Sequence, residues 1–338
     1  MSGFVTVSIN SGMVDPIFGK CQVPLARYIM QLGEAFEQQS LLKYLYRFET
    51  SRHWAERYTS ETAMDDFAPV GEGGAYPRTG FQSGYYRDID NMTFKQSFDV
   101  TRELVDDAKL GEMKQRARKL VTAYGRTREK FGRALYAGGI YGTTVDFGGK
   151  SFRCDAADGK ALFHKEHVNK VNSKKQSNLY KGSFSATLLG KIETEMQQRT
   201  GDNGELLAVA PDTIWIPNDA ALKDAVFSAI GADKEPTSGN NAYNHQFGRW
   251  NVIIDPYLTQ VLAAMGKSTE KPFFLLDSTF LKNNDGAIFQ TRCPLEVKSV
   301  MDNNNDNNQW QGYARFGAGY VDWRFASVGN ISTGTDLT

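Results

Sequence analysis

The stretch DGKALFHKEHVN, residues 158–169, gathers several side chains that could do chemistry. His164 and His167 stand three residues apart, and Glu166 lies between them. On a helix this spacing would place two imidazoles beside one metal ion, as in a metal-dependent hydrolase. The Asp-Gly turn before the pair and the polar run VNKVNSKKQSN after it predict a loop instead, and a bare histidine pair is weak evidence for a metal. A hydrolase therefore stays an alternative, and we predict no metal site.

Two other motifs fail on their spacing. A phosphate-binding loop ending in GKS needs a glycine five residues before Gly149, where Thr144 stands. A calcium loop starting at Asp302 needs glycine at its sixth position and glutamate at its twelfth, and these are Asn307 and Tyr313. No Gly-x-Ser-x-Gly motif occurs either. We therefore expect no enzyme activity, no catalytic residue and no cofactor.

Composition narrows the class of protein. The 338 residues carry 39 basic and 39 acidic side chains, so the formal net charge is zero and a dedicated nucleic-acid binder is not expected. The first residues lack the pattern of a secretory signal, and no apolar run approaches a membrane span. The three cysteines are widely spaced, which favours a reducing compartment over a disulfide framework. These features predict a soluble protein made inside a cell.

A glycine-rich segment at 60–92 excludes a helix, because it holds five glycines and two prolines. Phe94, Phe98 and Val100 then alternate with polar residues, as in a half-buried strand. Together they predict a long β-hairpin, which is marginally stable alone because two strands bury little apolar surface. The hairpin is either a mobile surface loop or an arm that becomes ordered against a neighbouring subunit.

The strongest helical pattern spans 112–136 and ends at the pair Gly138 and Gly139. Its basic side chains outnumber its acidic ones, with nine against two between Lys109 and Arg133. They form either a solvated face or a stripe that faces a polyanion or an acidic partner. The stripe residues are Lys114, Arg118, Arg126 and Arg133.

Weaker patterns complete the organisation. A helix is predicted from Tyr28 to Phe48 and another from Ser183 to Thr200. Strands and short helices then alternate to about residue 270, with Asp219 as a helix cap, which indicates an α/β lobe. The tail is rich in strands, and alternate residues from Tyr313 to Phe325 are predicted to share one face.

The order of these segments resembles that of a tailed-bacteriophage major capsid protein, and most closely the Mu-like major head subunit branch. DGKALFHKEHVN is followed by SNL, TIWIPNDAAL, WNVIIDPYL, FFLLDS, FQTRCPLEV and ARFGAGYVDWRFAS, which resemble the family's segments in the same order over nearly the whole chain. The family shares its fold with encapsulins and the herpesvirus capsid floor.

The resemblance implies an α+β fold with an N-arm, an extended β-hairpin called the E-loop, a P-domain with a long spine helix, and an α/β A-domain. In this fold DGKALF would be a structural turn between P-domain and A-domain. The implied bounds are 1–60 for the N-arm, 61–97 for the E-loop, 98–179 with 271–338 for the P-domain, 112–136 for its spine helix, and 180–270 for the A-domain.

The resemblance also implies a function. The chain would assemble as hexamers and pentamers into an icosahedral phage head that encloses double-stranded DNA, with weak non-specific contact to that DNA and none to a membrane. A portal, a separate scaffold protein and a decoration protein would be its partners. It would be made in the host cytoplasm and reside in the virion. An encapsulin-like nanocompartment shell is the alternative within the same fold.

In such a shell the E-loop would lie across the P-domain of an adjacent subunit. Some relatives cross-link it through a lysine, but no lysine occurs between Lys43 and Lys95, so we expect no such cross-link. The predicted inter-subunit residues are Phe67, Tyr76, Arg78, Phe81, Tyr85, Tyr86 and Arg87.

Overall fold

A computed structural model describes most of the chain. The described ranges are 5–8, 19–61, 67–78, 83–107, 109–231, 243–284, 286–302 and 307–337. Helix makes up 32% and strand 33% of the structure, so the predicted mixture of the two is confirmed.

The N-terminal part is more helical than predicted. It consists of strand β1 (Val5–Ser8), helix α1 (Gly19–Gln39), helix α2 (Leu42–Leu45) and strand β2 (Arg47–Thr50). The single helix predicted to end at Phe48 is therefore wrong: the helix starts earlier and stops before Ser40. The Ser40 hydroxyl there accepts a hydrogen bond from the Leu42 amide at 3.3 Å, which opens a new helical turn.

The predicted hairpin is present with different bounds. Strands β3 and β4 are Ala55–Glu61 and Ser83–Asp90, and they pair antiparallel. The next strand, β5, is Met92–Val100, and it pairs with a tail strand instead of extending the hairpin. The apolar alternation around Phe94 thus belongs to a larger sheet.

The long helix runs past its predicted end. The long helix is α4 (Leu110–Tyr141), and the short helix α3 (Arg102–Asp106) precedes it. Strands β6 (Thr144–Phe147) and β7 (Lys150–Arg153) follow it. Gly138 and Gly139 lie inside α4. A Cβ on Gly138 would come within 2.5 Å of the Val145 Cβ, and one on Gly139 within 2.8 Å of the Leu162 Cβ. These glycines permit close packing and do not terminate the helix.

The central region alternates strands and helices, as predicted. The strands of this region are β8 (His167–Val168), β9 (Lys175–Gln176), β10 (Thr213–Pro217), β11 (Asn251–Asp255) and β12 (Phe273–Leu276). Its helices are α5 (Ala186–Gln197), α6 (Ala220–Ile230), α7 (Pro256–Ala264) and α8 (Ser278–Asn283). The Asp219 side chain accepts from the Leu222 amide at 3.1 Å, so its predicted capping role is confirmed.

The tail supplies strands to both sheets. Strands β13, β14 and β15 are Ala287–Asp302, Asn307–Tyr320 and Ala326–Gly329. One sheet has the order β1-β13-β14-β5 with β2 also on β13, and the other has the order β11-β10-β12-β15. The predicted shared face from Tyr313 to Phe325 is wrong beyond Tyr320, because β14 ends there and a turn follows.

One large buried cluster, to which the first sheet, α4 and the α/β lobe all contribute, holds these layers together. Helix α4 crosses the first sheet, and its ring Phe131 packs edge-on against Phe94 and Phe316, which stack on each other at 4.2 Å. Residues 131–140 of α4 are all buried between this sheet and the α/β lobe. The long helix therefore connects both parts of the fold.

Candidate assembly site

The root of the β3–β4 hairpin is fixed to the body of the chain by a buried ion pair. Arg87 Nη1 lies 2.7 Å from Asp155 Oδ1, and the two side chains are 4% and 5% exposed. Arg153 contacts the other carboxylate oxygen at 2.5 Å. Burial lowers the pKa of Arg87, although the adjacent carboxylate opposes this. Arg87 was predicted to contact another subunit; its side chain instead lies inside this one, since the carboxylate that neutralises it is internal.

Further contacts fix the same root. Lys170 Nζ donates to the Gly84 carbonyl at 2.7 Å and lies 5.4 Å from the centre of the Tyr85 ring. Gln290 Nε2 donates to the Ile89 carbonyl at 2.7 Å. Tyr85, which was predicted to face a neighbour, is thus partly covered by its own chain. These contacts give the hairpin a defined direction where it leaves the sheet.

The tip of the hairpin, residues 67–78, presents its side chains to solvent. Phe67 is 104% exposed and Tyr76 is 93% exposed, while Arg78 is also exposed. Tyr86, nearer the root, is 59% exposed, and the Arg57 guanidinium lies over its ring at 4.4 Å from the ring centre. Phe81 lies outside the described residues. Exposed aromatic rings mark a surface that gains about 1.5–3 kcal/mol per ring when a partner covers it.

Three of the four residues predicted for the basic stripe of α4 are exposed. Lys114, Arg118 and Arg126 are exposed on the helix, and Arg118 donates to the Tyr28 hydroxyl at 2.6 Å. Arg133 is wholly buried. The prediction of a surface role for Arg133 is wrong, because the α/β lobe packs over this part of α4.

Buried Arg133 is the centre of a charged cluster between the two parts of the fold. It donates to Asp255 at 2.5 Å and to Glu129 at 2.5 Å. Trp215 Nε1 donates to the same Asp255 oxygen at 3.1 Å, and the Ser40 hydroxyl donates to Glu129. Helix α4, the α/β lobe and the N-terminal segment therefore meet at one ion-pair cluster, which we call the Arg133 cluster.

The DGKALFHKEHVN segment makes a second set of buried contacts between distant parts of the chain, which we call the His167 junction. His167 is fully buried, its Nδ1–H donates to Asp158 Oδ2 at 2.6 Å, and its ring stacks on Trp323 at 4.1 Å. Asn178 accepts from the His164 amide at 2.8 Å and donates to the Leu162 carbonyl at 2.8 Å. The segment is thus held against the tail through Trp323.

The ligand set required by the hydrolase alternative does not converge. His167 Nε2 lies 3.2 Å from Asn178 Oδ1, and Glu166 pairs with Lys175 at the surface. Within the described ranges, no three His, Cys, Asp or Glu side chains come close enough to share a metal. The geometry of this segment is that of a structural junction.

From the contacts of the His167 junction we expect the free energy of unfolding to fall in acid. Burial lowers the pKa of His167 below its ordinary 6.5. Burial raises the pKa of Asp158, but the hydrogen bond and charge of His167, the Lys160 amide and Arg324 together lower it overall. Below pH 6.5 the unfolded chain therefore binds more protons than the folded one, and stability falls as pH decreases. We expect this slope, at most about 1.4 kcal/mol per pH unit for one group, in denaturant titrations.

The control separates His167 from other groups. His167→Gln should flatten the difference in unfolding free energy between pH 7.5 and pH 5.5, whereas His164→Gln, at a partly exposed ring, should keep it. An unchanged slope in His167→Gln would contradict the assignment.

The sequence did not predict the two carboxylates that neutralise the buried arginines Arg133 and Arg87. Asp255 was visible only as the residue before Pro256, a helix-start signal, and its pairing with Arg133 joins positions 122 residues apart. Asp155, the partner of Arg87, has no local signal. Long-range pairing of this kind is decided by packing.

The fold and this surface define a structural protein with an anchored arm, and comparison with known proteins gives the class. A family model described as phage capsid protein matches residues 89–328, and the chain belongs to this family. The tailed-phage capsid identification is confirmed at this level; the Mu-like branch stays a prediction. Comparison with curated proteins returns no match.

Solved structures agree on the fold. The capsid of cyanophage P-SCSP1u is 11% identical with a TM-score of 0.54, over 86% of this chain and 87% of that one. A Mycobacterium phage Patience structure is 12% identical with a TM-score of 0.53, over 98% and 93%. These two likenesses show the fold, and membership of the phage capsid protein family makes the chain a capsid structural protein of the virion. No helix in the described part of the chain is long and apolar enough to span a membrane.

Proposed function

We propose that the chain is the major capsid protein of a phage and assembles as hexamers and pentamers into an icosahedral head around double-stranded DNA. The single observation that carries the proposal is the β3–β4 hairpin with its fixed root and exposed aromatic tip. A root held by the Arg87–Asp155 pair aims the hairpin, while Phe67 at the tip has almost all its surface in water. Such an arm is stable only when another molecule covers it.

The predicted division of the chain follows from this proposal. The hairpin serves as the E-loop, α4 as the spine helix of the P-domain, and the lobe around β10 and β12 as the A-domain. The Arg133 cluster supports this division, because it joins spine helix and lobe through buried charges. The neutral net charge fits a wall that holds DNA with only weak, non-specific contact.

Particle formation tests the proposal. The purified full chain should give megadalton particles in light scattering and closed shells in electron micrographs. The double variant Phe67→Ser, Tyr76→Ser should remain folded and lose most particles. Leu206→Ser, at a residue 64% exposed outside the hairpin, is the matched control and should assemble normally. A wild-type chain that stays a folded monomer under all assembly conditions would overturn the proposal.

A second prediction concerns covalent bonds between subunits. An amide bond from the hairpin requires a lysine amine, and none occurs between Lys43 and Lys95. Mature particles should therefore run on denaturing gels as one band near the chain mass of 37.7 kDa. A ladder of covalent multimers that map to hairpin peptides by mass spectrometry would contradict this expectation.

A further inference from the structure

The segment that leads from the His167 junction into the α/β lobe is paired on both of its edges. We call residues 177–185 the linker, because they join that junction to the start of α5. On one edge, Tyr180 N–H donates to the Val328 carbonyl of β15 at 2.8 Å, and Val328 N–H donates to the Asn178 carbonyl at 2.9 Å. The linker therefore continues the sheet of the lobe on the far side of β15 from β12.

The other edge of the linker is covered by the tail of the chain. A short turn after β15 carries the chain across the linker, and we call residues 332–337 beyond it the latch. Thr335 N–H donates to the Leu179 carbonyl at 2.7 Å, and Lys181 N–H donates to the Thr335 carbonyl at 2.9 Å. The linker thus lies between β15 and the latch, with backbone hydrogen bonds to both.

The crossing point is sterically tight at Gly334. The Gly334 amide donates to the Ile331 carbonyl at 3.0 Å, which closes the turn. A Cβ on Gly334 would come within 2.4 Å of the Tyr180 carbonyl carbon and within 2.7 Å of the Lys181 nitrogen. Both are backbone atoms of the linker and cannot rotate away. The latch can therefore lie this close to the linker only because residue 334 has no side chain.

The two edges of the linker differ in how deeply their partners are buried. All four residues of β15 are buried, and its pairing with β12 places it inside the lobe sheet. The latch lies at the surface, where Ser332, Thr333 and Asp336 are exposed. Segments with little buried surface open locally at a lower free energy than the core does. The latch edge is therefore expected to open before the β15 edge.

Side chains tie the latch to the linker and to α5. The Thr335 hydroxyl lies 2.9 Å from the Ser177 hydroxyl. Lys191 Nζ, on α5, donates to the Leu337 carbonyl at 2.6 Å. Both contacts lie at or near the surface, so water can replace them when the latch lifts. They close the latch without making it part of the core.

We propose that the latch opens as a unit while β15 stays paired with the linker, and that it controls access to the linker. With the latch closed, Leu179 and Tyr180 are buried and the Lys181 amide is hydrogen-bonded. With the latch open, the outer edge of the linker and the Lys181–Gly182 peptide bond are reached by water and by proteases. The latch belongs to a single subunit, so this inference goes beyond the proposed shell function and does not depend on it.

Residue-resolved amide hydrogen exchange of the full chain tests the latch. In Gly334→Ala the amides of Lys181 and Thr335 should exchange about tenfold faster, because the added methyl group forces the latch off the linker. The amides of Tyr180 and Val328 should keep their wild-type rates, because their hydrogen bonds join the linker to β15.

A second variant loosens the latch without a steric clash. Lys191→Met removes the ammonium group that binds the Leu337 carbonyl and keeps the length of the side chain. It should accelerate exchange at Lys181 and Thr335 by about threefold, less than the steric variant, because the backbone hydrogen bonds remain.

Each variant has a matched control. Gly111→Ala adds the same methyl group at an exposed position of α4 where a Cβ meets open space. Lys114→Met removes an exposed lysine of the same helix. Both controls should leave the four amide rates at their wild-type values.

Limited digestion with trypsin gives an independent readout. Wild-type cleavage after Lys181 should be slow compared with cleavage after Lys174, which is exposed in the turn between β8 and β9. In Gly334→Ala the two rates should become similar, because cleavage at Lys181 follows the population of the open latch.

Two results would overturn the inference. One is wild-type exchange at Lys181 and Thr335 in both Gly334→Ala and Lys191→Met. The other is equal acceleration at Tyr180 and Val328, because the whole edge of the lobe would then open together. Particle formation does not enter either result: a chain that forms no particles overturns the shell proposal and leaves the test of the latch unchanged.

Discussion

Replacing Asp255 by alanine is expected to lower the free energy of unfolding by about 3–5 kcal/mol, because it leaves the buried Arg133 guanidinium short of its main partner. The same carboxylate accepts from Trp215 Nε1 at 3.1 Å and from the Tyr257 amide at 2.9 Å at the start of α7. One substitution thus breaks an ion pair, an indole hydrogen bond and a helix cap. Equilibrium denaturation in urea measures the loss.

The chain offers a matched control for this effect. Asp219 caps α6 in the same way, but its side chain is 24% exposed and its ion pair with Lys271 lies near the surface. Asp219→Ala should cost about 1 kcal/mol, the usual value for a lost cap. Equal losses in the two variants would mean that capping alone explains Asp255 and that the Arg133 cluster contributes nothing. Asp255→Asn, which keeps the shape without the charge, should fall between them.

Replacing Asp155 by alanine should also cost about 3–5 kcal/mol, since it strands Arg87 at the root of the hairpin. Arg153 can turn into solvent, because its side chain is 62% exposed, whereas Arg87 cannot. The loss should be accompanied by faster amide hydrogen exchange in β4, where Arg87 is held. Particle formation should fall with it, because a loose root no longer aims the tip.

Asp88→Ala is the comparison for this second prediction. Asp88 lies next to Arg87 in the same strand and pairs with Arg57, but that pair is exposed to solvent and screened by salt. Its removal should leave both stability and hydrogen exchange nearly unchanged. If Asp88→Ala loosened β4 as much as Asp155→Ala does, the buried pair would not be the anchor of the hairpin.

The elements that the sequence predicted well are those with local causes. The apolar seam of α4 repeats within one helix, so its position follows from residues such as Met113, Ala117 and Leu120, which are all buried. The cap at Asp219 depends on amides three residues away. The glycines and prolines at 60–92 exclude a helix whatever surrounds them. The family resemblance rests on the order of such segments.

The boundaries that depend on neighbours were predicted less well. Glycine ends many helices, but the pair Gly138 and Gly139 lies inside α4, where Val145 and Leu162 leave no room for a side chain. The strand around Phe94 looks like half of a hairpin until β14 pairs with it. In both cases the boundary of the element depends on contacts that form only when the chain folds.

The residues of the candidate site also divide into those whose properties are local and those whose position depends on folding. Sequence by itself indicated a glycine-rich hairpin that carries aromatic residues and a helix with a basic surplus, because charge and turn composition are local properties. Only the tertiary structure decided which of the predicted residues face outward: Phe67 and Arg126 do, while Arg87 and Arg133 are buried. The reason is that a guanidinium can be buried only where a carboxylate meets it, and Asp155 and Asp255 reach those places only through folding.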